Sequence, residues 1–175
     1  QQSVQYLQDG FHGTTNGIAF SAFEWSEPVS DEARLHHLVL VLAAPARLTG
    51  TTHLRSHKVP WPNPGPGHDL QPVKLGIDAF EDRYDLRGTD QTEARYVFNP
   101  AVIERLIDFA HGADMRAVAT DDHIVVDLRG HDRFELIDLL TGAWSETSIE
   151  TTFQDIADLL DLIDSVAKAF MSPRS

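Results

Sequence analysis

The sequence predicts one α+β domain built on a mainly antiparallel sheet. Three observations carry the prediction: an Asn-Gly pair between strand-like segments, short apolar or alternating runs separated by turn residues, and a long amphipathic pattern near the C-terminus. The 175 residues, 42% of them hydrophobic, suit one folded core. We therefore expect residues 1–175 to form a single soluble domain. Its sheet would be strongly bent or a small barrel, of which a pleckstrin-homology-like roll is one specific form, with one middle helix and a long C-terminal helix.

The first half of the chain predicts antiparallel strands. Asn16 and Gly17 supply the two positive-φ residues of a type I′ turn, so residues 9–25 are expected to form a hairpin. The short apolar run at 34–45, closed by a proline, predicts a central strand. A threonine-rich stretch at 49–52 predicts a further extended segment.

The segment 56–76 is expected to be a flexible loop. It carries prolines at positions 60, 62, 64, 66 and 72, and regular structure does not tolerate that density. The spacing of these prolines also differs from the i, i+3 pattern of proline-rich ligands for aromatic grooves.

Two strands and a helix are predicted in the middle of the chain. Residues 79–90 and 93–100 would be strands joined at 88–91, and 115–130 would be a hairpin that turns at two aspartates. In the second strand the pleat would put Glu93 and Arg95 on one face. There Arg95 would pair with Glu93, or with Asp82 or Asp85 across the hairpin, in a structural role. Asn99 and Pro100 predict the N-cap and first residue of a helix at 99–111.

The C-terminal pattern predicts an amphipathic helix at 148–171. Its apolar residues recur at alternating intervals of four and three, which describes one continuous seam. We expect the seam to pack on the sheet, with self-association as the alternative. The seam residues are Ile149, Phe153, Ile156, Leu160, Ile163, Ala167 and Phe170, and the acidic residues of the opposite, solvated face are Asp155, Asp158, Asp161 and Asp164.

Composition limits the partners and the chemistry. The formal net charge is −13, with 14 Lys and Arg against 27 Asp and Glu, so nucleic acid and anionic membrane surfaces are poor partners. The absence of cysteine removes disulfides, thiolate catalysis and cysteine zinc sites. No P-loop, nucleophile elbow or kinase motif occurs. A non-catalytic domain without a cofactor is the preferred interpretation.

A metal-dependent hydrolase is the alternative. Its candidate ligands are His53, His57, His68 and Asp69, along and before the proline-rich segment. The i, i+4 spacing of the first two would suit zinc on a helix. The surrounding threonines and prolines disfavour a helix there, and no carboxylate stands between them as in His-Glu-x-x-His.

Residues 79–109 carry a family resemblance. They contain Phe80-Glu81, Asp90-Gln91, Glu93-Ala94-Arg95-Tyr96 and a proline-initiated helix with Glu104-Arg105-Leu106. This stretch resembles the hallmark of a bacterial family catalogued as domain of unknown function 3137. The resemblance implies a membrane-anchored protein that contacts the membrane only through segments outside this chain. We expect its soluble domain to lie in the cytoplasm. The resemblance implies no reaction, so we expect the domain to bind a protein or to self-associate.

Overall fold

A computed structural model describes residues 6–30, 33–44, 46–59, 69–110, 112–130 and 146–171. These residues form eight strands and four helices. The strands are β1 (Tyr6–Thr15), β2 (Ile18–Pro28), β3 (Arg34–Ala43), β4 (Thr51–Ser56), β5 (Gln71–Pro72), β6 (Tyr84–Gly88), β7 (Asp114–Thr120) and β8 (His123–Arg129). The helices are α1 (Asp78–Glu81), α2 (Gln91–Val97), α3 (Pro100–Ala110) and α4 (Glu146–Met171).

All eight strands belong to one sheet, in the order β1-β2-β3-β8-β7-β4-β6-β5, and every pair is antiparallel. The predicted hairpins are confirmed: Asn16 and Gly17, with φ of 46° and 80°, connect β1 to β2, and Asp121, with φ of 50°, lies in the turn between β7 and β8. In the described residues the sheet is open, with β1 and β5 at its edges. The α+β class is confirmed, in the form of a bent sheet and not a closed barrel.

The sheet has an inner face, which is buried, and an outer face, which is mostly half-exposed. Along β2 every second residue from Ile18 to Ser26 is buried, because successive side chains of a strand point to opposite faces. The strand register extends this alternation across the sheet. Inner-face side chains form one hydrophobic core with α3 and α4, and they include Phe20, Ala22, Leu38, Leu40, Leu42, Leu54, Leu86, Met115, Ala117, Val126 and Leu128.

The helix α3 begins as predicted. The side chain of Asn99 accepts hydrogen bonds at 3.1 Å from the backbone N–H groups of Ala101 and Val102, and Pro100 is the first helical residue. This N-cap satisfies donors that have no partner inside the helix. The helix packs against α4, which also reaches β1 and β2. Of the described helices, none combines the length and apolar character that a membrane span requires.

The long helix α4 is confirmed, but its buried face differs from the predicted seam. Ala167 is fully buried, Leu160 is 38% exposed and Phe153 is 67% exposed. A seven-residue repeat drifts by about 20° per heptad on a straight α-helix, so these three positions rotate progressively out of the core toward the N-terminus. The side chains of Ile149 and Phe170, at the two ends of the predicted seam, lie outside the described part of α4. Among the described side chains of α4, the buried ones are Leu159, Leu162, Ile163, Val166 and Ala167.

Residues 79–98 do not form the two predicted strands. The first segment contains α1 followed by the shorter strand β6, and the second is the helix α2. The side chain of Asp90 caps α2 by accepting hydrogen bonds from the backbone N–H groups of Thr92 (2.8 Å) and Glu93 (3.0 Å). The middle of the chain therefore has three helices where one was predicted.

The predicted loop at 56–76 is only partly a loop. Residues 60–68 lie outside the described residues. Ser56 ends β4, and Gln71 and Pro72 form the edge strand β5, which pairs with β6. An edge strand can accommodate a proline because the missing N–H can point away from the partner strand.

Candidate functional site

The carboxylate of Glu93 holds the loop that precedes β4. Its Oε2 accepts hydrogen bonds from the backbone N–H (2.8 Å) and the hydroxyl (2.9 Å) of Thr49, and its Oε1 accepts one from the backbone N–H of Gly50 (2.8 Å). A Cβ atom at Gly50 would lie 2.7 Å from Oγ1 of Thr89 and 3.1 Å from Oε1 of Glu93. The loop can approach this closely because position 50 is glycine. We call these contacts the Glu93 clamp.

Arg95 does not pair with Glu93. Because residues 91–97 are helical, its guanidinium donates to the backbone carbonyl and side-chain oxygen of Gln91 (3.2 Å each) and to the carbonyl of Lys74 (3.3 Å). Asp85, a predicted cross-strand partner, instead lies 2.7 Å from Arg55. The predicted pairing is therefore wrong, while a structural role for Glu93 and Arg95 stays a prediction.

Glu81 makes a second clamp, on the loop before α1. Its Oε1 accepts hydrogen bonds from the backbone N–H groups of Leu75 and Gly76 (3.0 Å each), and its Oε2 lies 3.0 Å from Nζ of Lys74. The hydrogen bond from Lys74, followed by that from Gly76, lowers the pKa of Glu81 below its ordinary value of 4.5. Two of the three glutamates of the segment that resembles the family, Glu81 and Glu93, thus bind backbone groups of their own chain.

Breaking the Glu93 clamp is expected to destabilise the fold. We expect Glu93→Gln to lower the free energy of unfolding by about 2 kcal/mol, because hydrogen bonds to a charged group contribute ~1.5–3 kcal/mol and an amide NH₂ would face backbone donors. Arg95→Ala, on the exposed side of α2, is expected to cost less than about 1 kcal/mol. Urea denaturation measures both. Equal losses in the two variants would contradict a specific role for the clamp.

The Glu81 clamp is expected to weaken in acid. Because the folded-state pKa lies below the unfolded value, the contribution of Glu81 is complete above about pH 4.5 and is lost as the pH falls through the folded value. We expect the difference in Tm between the wild type and Glu81→Gln to shrink as the pH falls from about 6 to about 3. Thermal unfolding across that range measures it, and a constant difference would contradict the prediction.

Two of the four metal-ligand candidates lie on or just after β4. His53 is inside the strand, between Arg87 of β6 and Val118 of β7. His57 follows the strand, and its Nε2 lies 3.7 Å from Oδ1 of Asp85. Adjacent turns of a helix would have brought the two imidazoles together, but this stretch is a strand followed by a turn.

The other two candidates add no described ligand cluster. Asp69 accepts a hydrogen bond from the side chain of Gln71 at 2.7 Å, and His68 lies outside the described residues. Within the described ranges, no group of three or more His, Asp or Glu side chains could hold a metal ion.

A buried histidine–carboxylate pair joins β3 to β8 on the outer face. His37 and Asp127 are only 3% and 6% exposed. Nδ1 of His37 lies 2.8 Å from Oδ1 of Asp127, and the ring of Trp25 stacks on the imidazole with centroids 4.1 Å apart. Since a carboxylate only accepts hydrogen bonds, Nδ1 carries the proton. Arg116 donates to the other carboxylate oxygen at 3.0 Å.

The surrounding charges of the outer face are also paired. Oε1 of Glu27 lies 3.8 Å from the guanidinium of Arg129. It also lies 3.5 Å from Nε2 of His37, a buried atom that has no hydrogen-bond partner among the described residues. Farther along the sheet, Arg55 pairs with Asp85. These side chains neutralise one another across neighbouring strands, an arrangement that fixes strand register. The one signal in the sequence was Asp127 itself, a carboxylate inside an apolar strand.

The solvent side of α4 carries exposed apolar residues at helical spacing. Phe153 is 67% exposed, Leu160 is 38% exposed, and Ala157 between them is also exposed. Intervals of four and three residues place the three side chains on one side of the helix. We call them the apolar stripe. A single exposed apolar side chain is ordinary, whereas a contiguous group is typical of an interaction surface.

The apolar stripe is bordered by acidic residues. The 26 residues of α4 include six acidic residues and one basic residue. Glu150 and Asp161 are exposed, and Lys168, the basic residue, lies 2.5 Å from Asp164. The surface beside the stripe is therefore negatively charged.

Two hollows adjoin α3. A cavity of about 240 Å³ between α3 and α4 has Arg105, Asp108, Asp158 and Asp161 among its lining residues. A groove of about 500 Å³ between α1 and α3 has an apolar floor that includes Phe80. The first continues the acidic border of α4 onto α3.

Comparison with known proteins identifies a family. Residues 36–168 match the family described as protein of unknown function (DUF3137). No curated protein gives a significant match. A solved structure, the mycobacterial trehalose monomycolate transport factor A (TtfA), is similar over 91% of this chain and 73% of that chain, with 13% sequence identity and a TM-score of 0.45. Similarity at that level supports no transfer of function. Because the family match spans most of the chain and includes the whole of residues 79–109, this chain belongs to the DUF3137 family of proteins of unknown function.

Proposed function

We propose that this chain is a non-catalytic domain that binds a protein partner, and that the apolar stripe of α4 is its contact surface. The observation that carries the proposal is the exposure of Phe153, at 67%, on a helix whose opposite side is buried in the core. A partner that covers the stripe removes apolar surface from water, which is the main driving force of protein association. The buried residues Leu159 and Ile163 fix the helix, so the stripe is presented on a rigid element.

The stripe supports moderate affinity. Burying a whole Phe or Leu side chain contributes roughly 1.5–3 kcal/mol, and part of Phe153 and most of Leu160 are already covered in the free domain. Replacing both with serine is therefore expected to weaken binding by about 2 kcal/mol, or roughly 30-fold in Kd.

We also propose a cellular setting for this domain, and the proposal rests on the family resemblance. The domain would belong to a membrane-anchored bacterial protein, on the cytoplasmic side, with its anchor outside this chain. Support comes from residues 79–109, which resemble membrane-anchored members of the family. In fractionated cells the full-length protein should sediment with membranes and resist a high-salt wash, and protease added to intact spheroplasts should leave the domain uncut. Release by salt, or cleavage in intact spheroplasts, would contradict the setting.

Site-specific photo-crosslinking tests the contact surface. A photoreactive phenylalanine analogue replaces Phe153 in cells that produce the protein natively, and the matched control carries it at Val29, which is 66% exposed. We expect one discrete crosslinked product from position 153, its loss when Leu160→Ser is added, and no such product from position 29. No product from position 153, or identical products from both positions, would overturn the proposal.

A further inference from the structure

We infer that the partner presents a cationic amphipathic helix to the apolar stripe, and that it is not a second copy of this chain. The inference rests on the proposed function and adds the chemistry of the partner. It follows from the charges that border the stripe, from the shape of the stripe and from its length.

The acidic border lies on the solvent side of the stripe. At about 100° per residue, Phe153, Ala157 and Leu160 lie within about 60° of one another around α4. Glu150 and Asp161 follow at roughly 60–80° from Phe153 on the side away from the core, and both are exposed. A helix that lies on the stripe therefore has one flank against the core domain and the other flank beside carboxylates.

Lys and Arg on that flank would complement the border. The charge of the border is not neutralised from within α4, because Lys168 is its one basic residue and is paired with Asp164. Asp108 of α3 lines the adjacent cavity together with Asp158 and Asp161. One cation, Arg105, also lines it, so three carboxylates against one guanidinium leave the cavity with a net negative charge. Complementary charge speeds encounter and excludes partners of the wrong sign.

The shape of the stripe suits a helix. Ala157 is a small residue between the larger Phe153 and Leu160. Side chains on one helix pack into the gaps between side chains on another, and the gap above Ala157 can receive one apolar side chain. Partners that use this mode present apolar residues at i, i+3, i+4 and i+7.

A second copy of this chain fits poorly. Two stripes face to face would bring the acidic borders of two α4 helices together, and like charges at an interface are costly. The stripe is also only about 10 Å long, whereas a coiled coil needs three or four heptads. A stable interface buries about 800 Å² per partner, and a Phe side chain supplies only ~150–250 Å². A partner must therefore extend beyond the stripe, onto the carboxylates.

Model peptides test the chemistry. The probe is a fluorescently labelled 18-residue peptide of leucine and lysine, with the leucines on one helical face, and its counterpart has glutamate in place of lysine. Fluorescence anisotropy with the whole chain measures the Kd of each. We expect the lysine peptide to bind at least tenfold more tightly, and to lose several-fold in affinity between about 50 and 500 mM NaCl. Equal Kd values for the two peptides would overturn the inference.

Matched variants separate the stripe from the general charge of the chain. Phe153→Ser should raise the Kd of the lysine peptide about tenfold, and Val29→Ser should leave that Kd unchanged. Glu150→Gln with Asp161→Asn should weaken it about fivefold, whereas Asp121→Asn with Asp122→Asn, at side chains that are 71% exposed, should not. If the control variants weaken binding as much as the stripe variants do, the peptide binds through the overall net charge of −13 and the inference fails.

The crosslinking experiment distinguishes the two proposals. A discrete partner captured from position 153, with equal affinity for both peptides, would leave the proposed function in place and overturn only the cationic helix. A product identified as this chain crosslinked to itself would also overturn the inference. The absence of any product would overturn the proposed function, and with it the inference that rests on it.

Discussion

Asp127→Ala is expected to lower the free energy of unfolding by about 3 kcal/mol, because it removes one partner of a buried ion-pair network. The substitution leaves Nδ1–H of His37, which is 3% exposed, without its acceptor in the stack beneath Trp25. Arg116, whose side chain is 40% exposed, can turn to water, so most of the cost falls on the histidine. Urea denaturation followed by tryptophan fluorescence measures the loss.

Two variants show that the cost comes from the uncompensated partner. Asp122→Ala, at a side chain that is 71% exposed, should change stability by less than about 0.5 kcal/mol. The double variant His37→Leu with Asp127→Leu should be more stable than Asp127→Ala, since it removes both polar partners of the pair and leaves neither one buried alone. If the free energy of unfolding of Asp127→Ala lies within about 1 kcal/mol of the wild-type value, the pair does not couple β3 to β8.

Local turn and cap chemistry made most of the fold predictable. Asn16 and Gly17 can adopt the positive φ that a tight hairpin demands, and Asn99 followed by Pro100 satisfies the start of a helix. In both cases the residues that determine the structure are adjacent in the sequence. The order of the strands was not predictable in this way, because β8 pairs with β3 across a long separation.

Residues 91–97 were mispredicted because two periodicities coincide there. Ala94, Tyr96 and Phe98 alternate as in a strand, while Ala94, Val97 and Phe98 are spaced as in a helix and are the ones buried. The pair Asp90 and Glu93 has the spacing of a capping box, which indicates a helix start. Asp90 does cap α2, but the Glu93 carboxylate binds Thr49 and Gly50 and not the start of the helix. The helix therefore depends both on a local cap and on contacts with a distant part of the chain.

The outer-face pair could not be located from neighbouring residues. His37 and Asp127 are separated by 90 positions, and adjacent residues on a strand point to opposite faces. Their encounter depends on β8 lying next to β3 in one register. Two residues of the apolar stripe, Phe153 and Leu160, belonged to the predicted seam, whereas Ala157 did not. What the pattern did not reveal was that the seam leaves the core toward its N-terminal end.

Because the seam rotates out of the core, two of its residues should differ greatly in their contribution to the free energy of unfolding. Ile163→Ala should lower the free energy of unfolding by about 3 kcal/mol, since truncating a buried Ile removes its transfer free energy and leaves a cavity. Phe153→Ala should change it by less than about 0.5 kcal/mol, because the side chain is 67% exposed whereas Ile163 is fully buried. Leu160→Ala, at 38% exposure, should fall between them. Urea denaturation ranks the three variants.

The ranking bears directly on the binding proposal. A large loss of stability in Phe153→Ala would mean that the ring packs within the fold, and the stripe would then have no spare apolar surface to offer a partner. If Phe153→Ala leaves the free energy of unfolding unchanged, the opposite follows. The chain then keeps a large aromatic side chain exposed to water without gaining stability from it. Since exposed apolar area favours association, a phenylalanine that contributes nothing to folding is more readily explained by a contact made outside the chain.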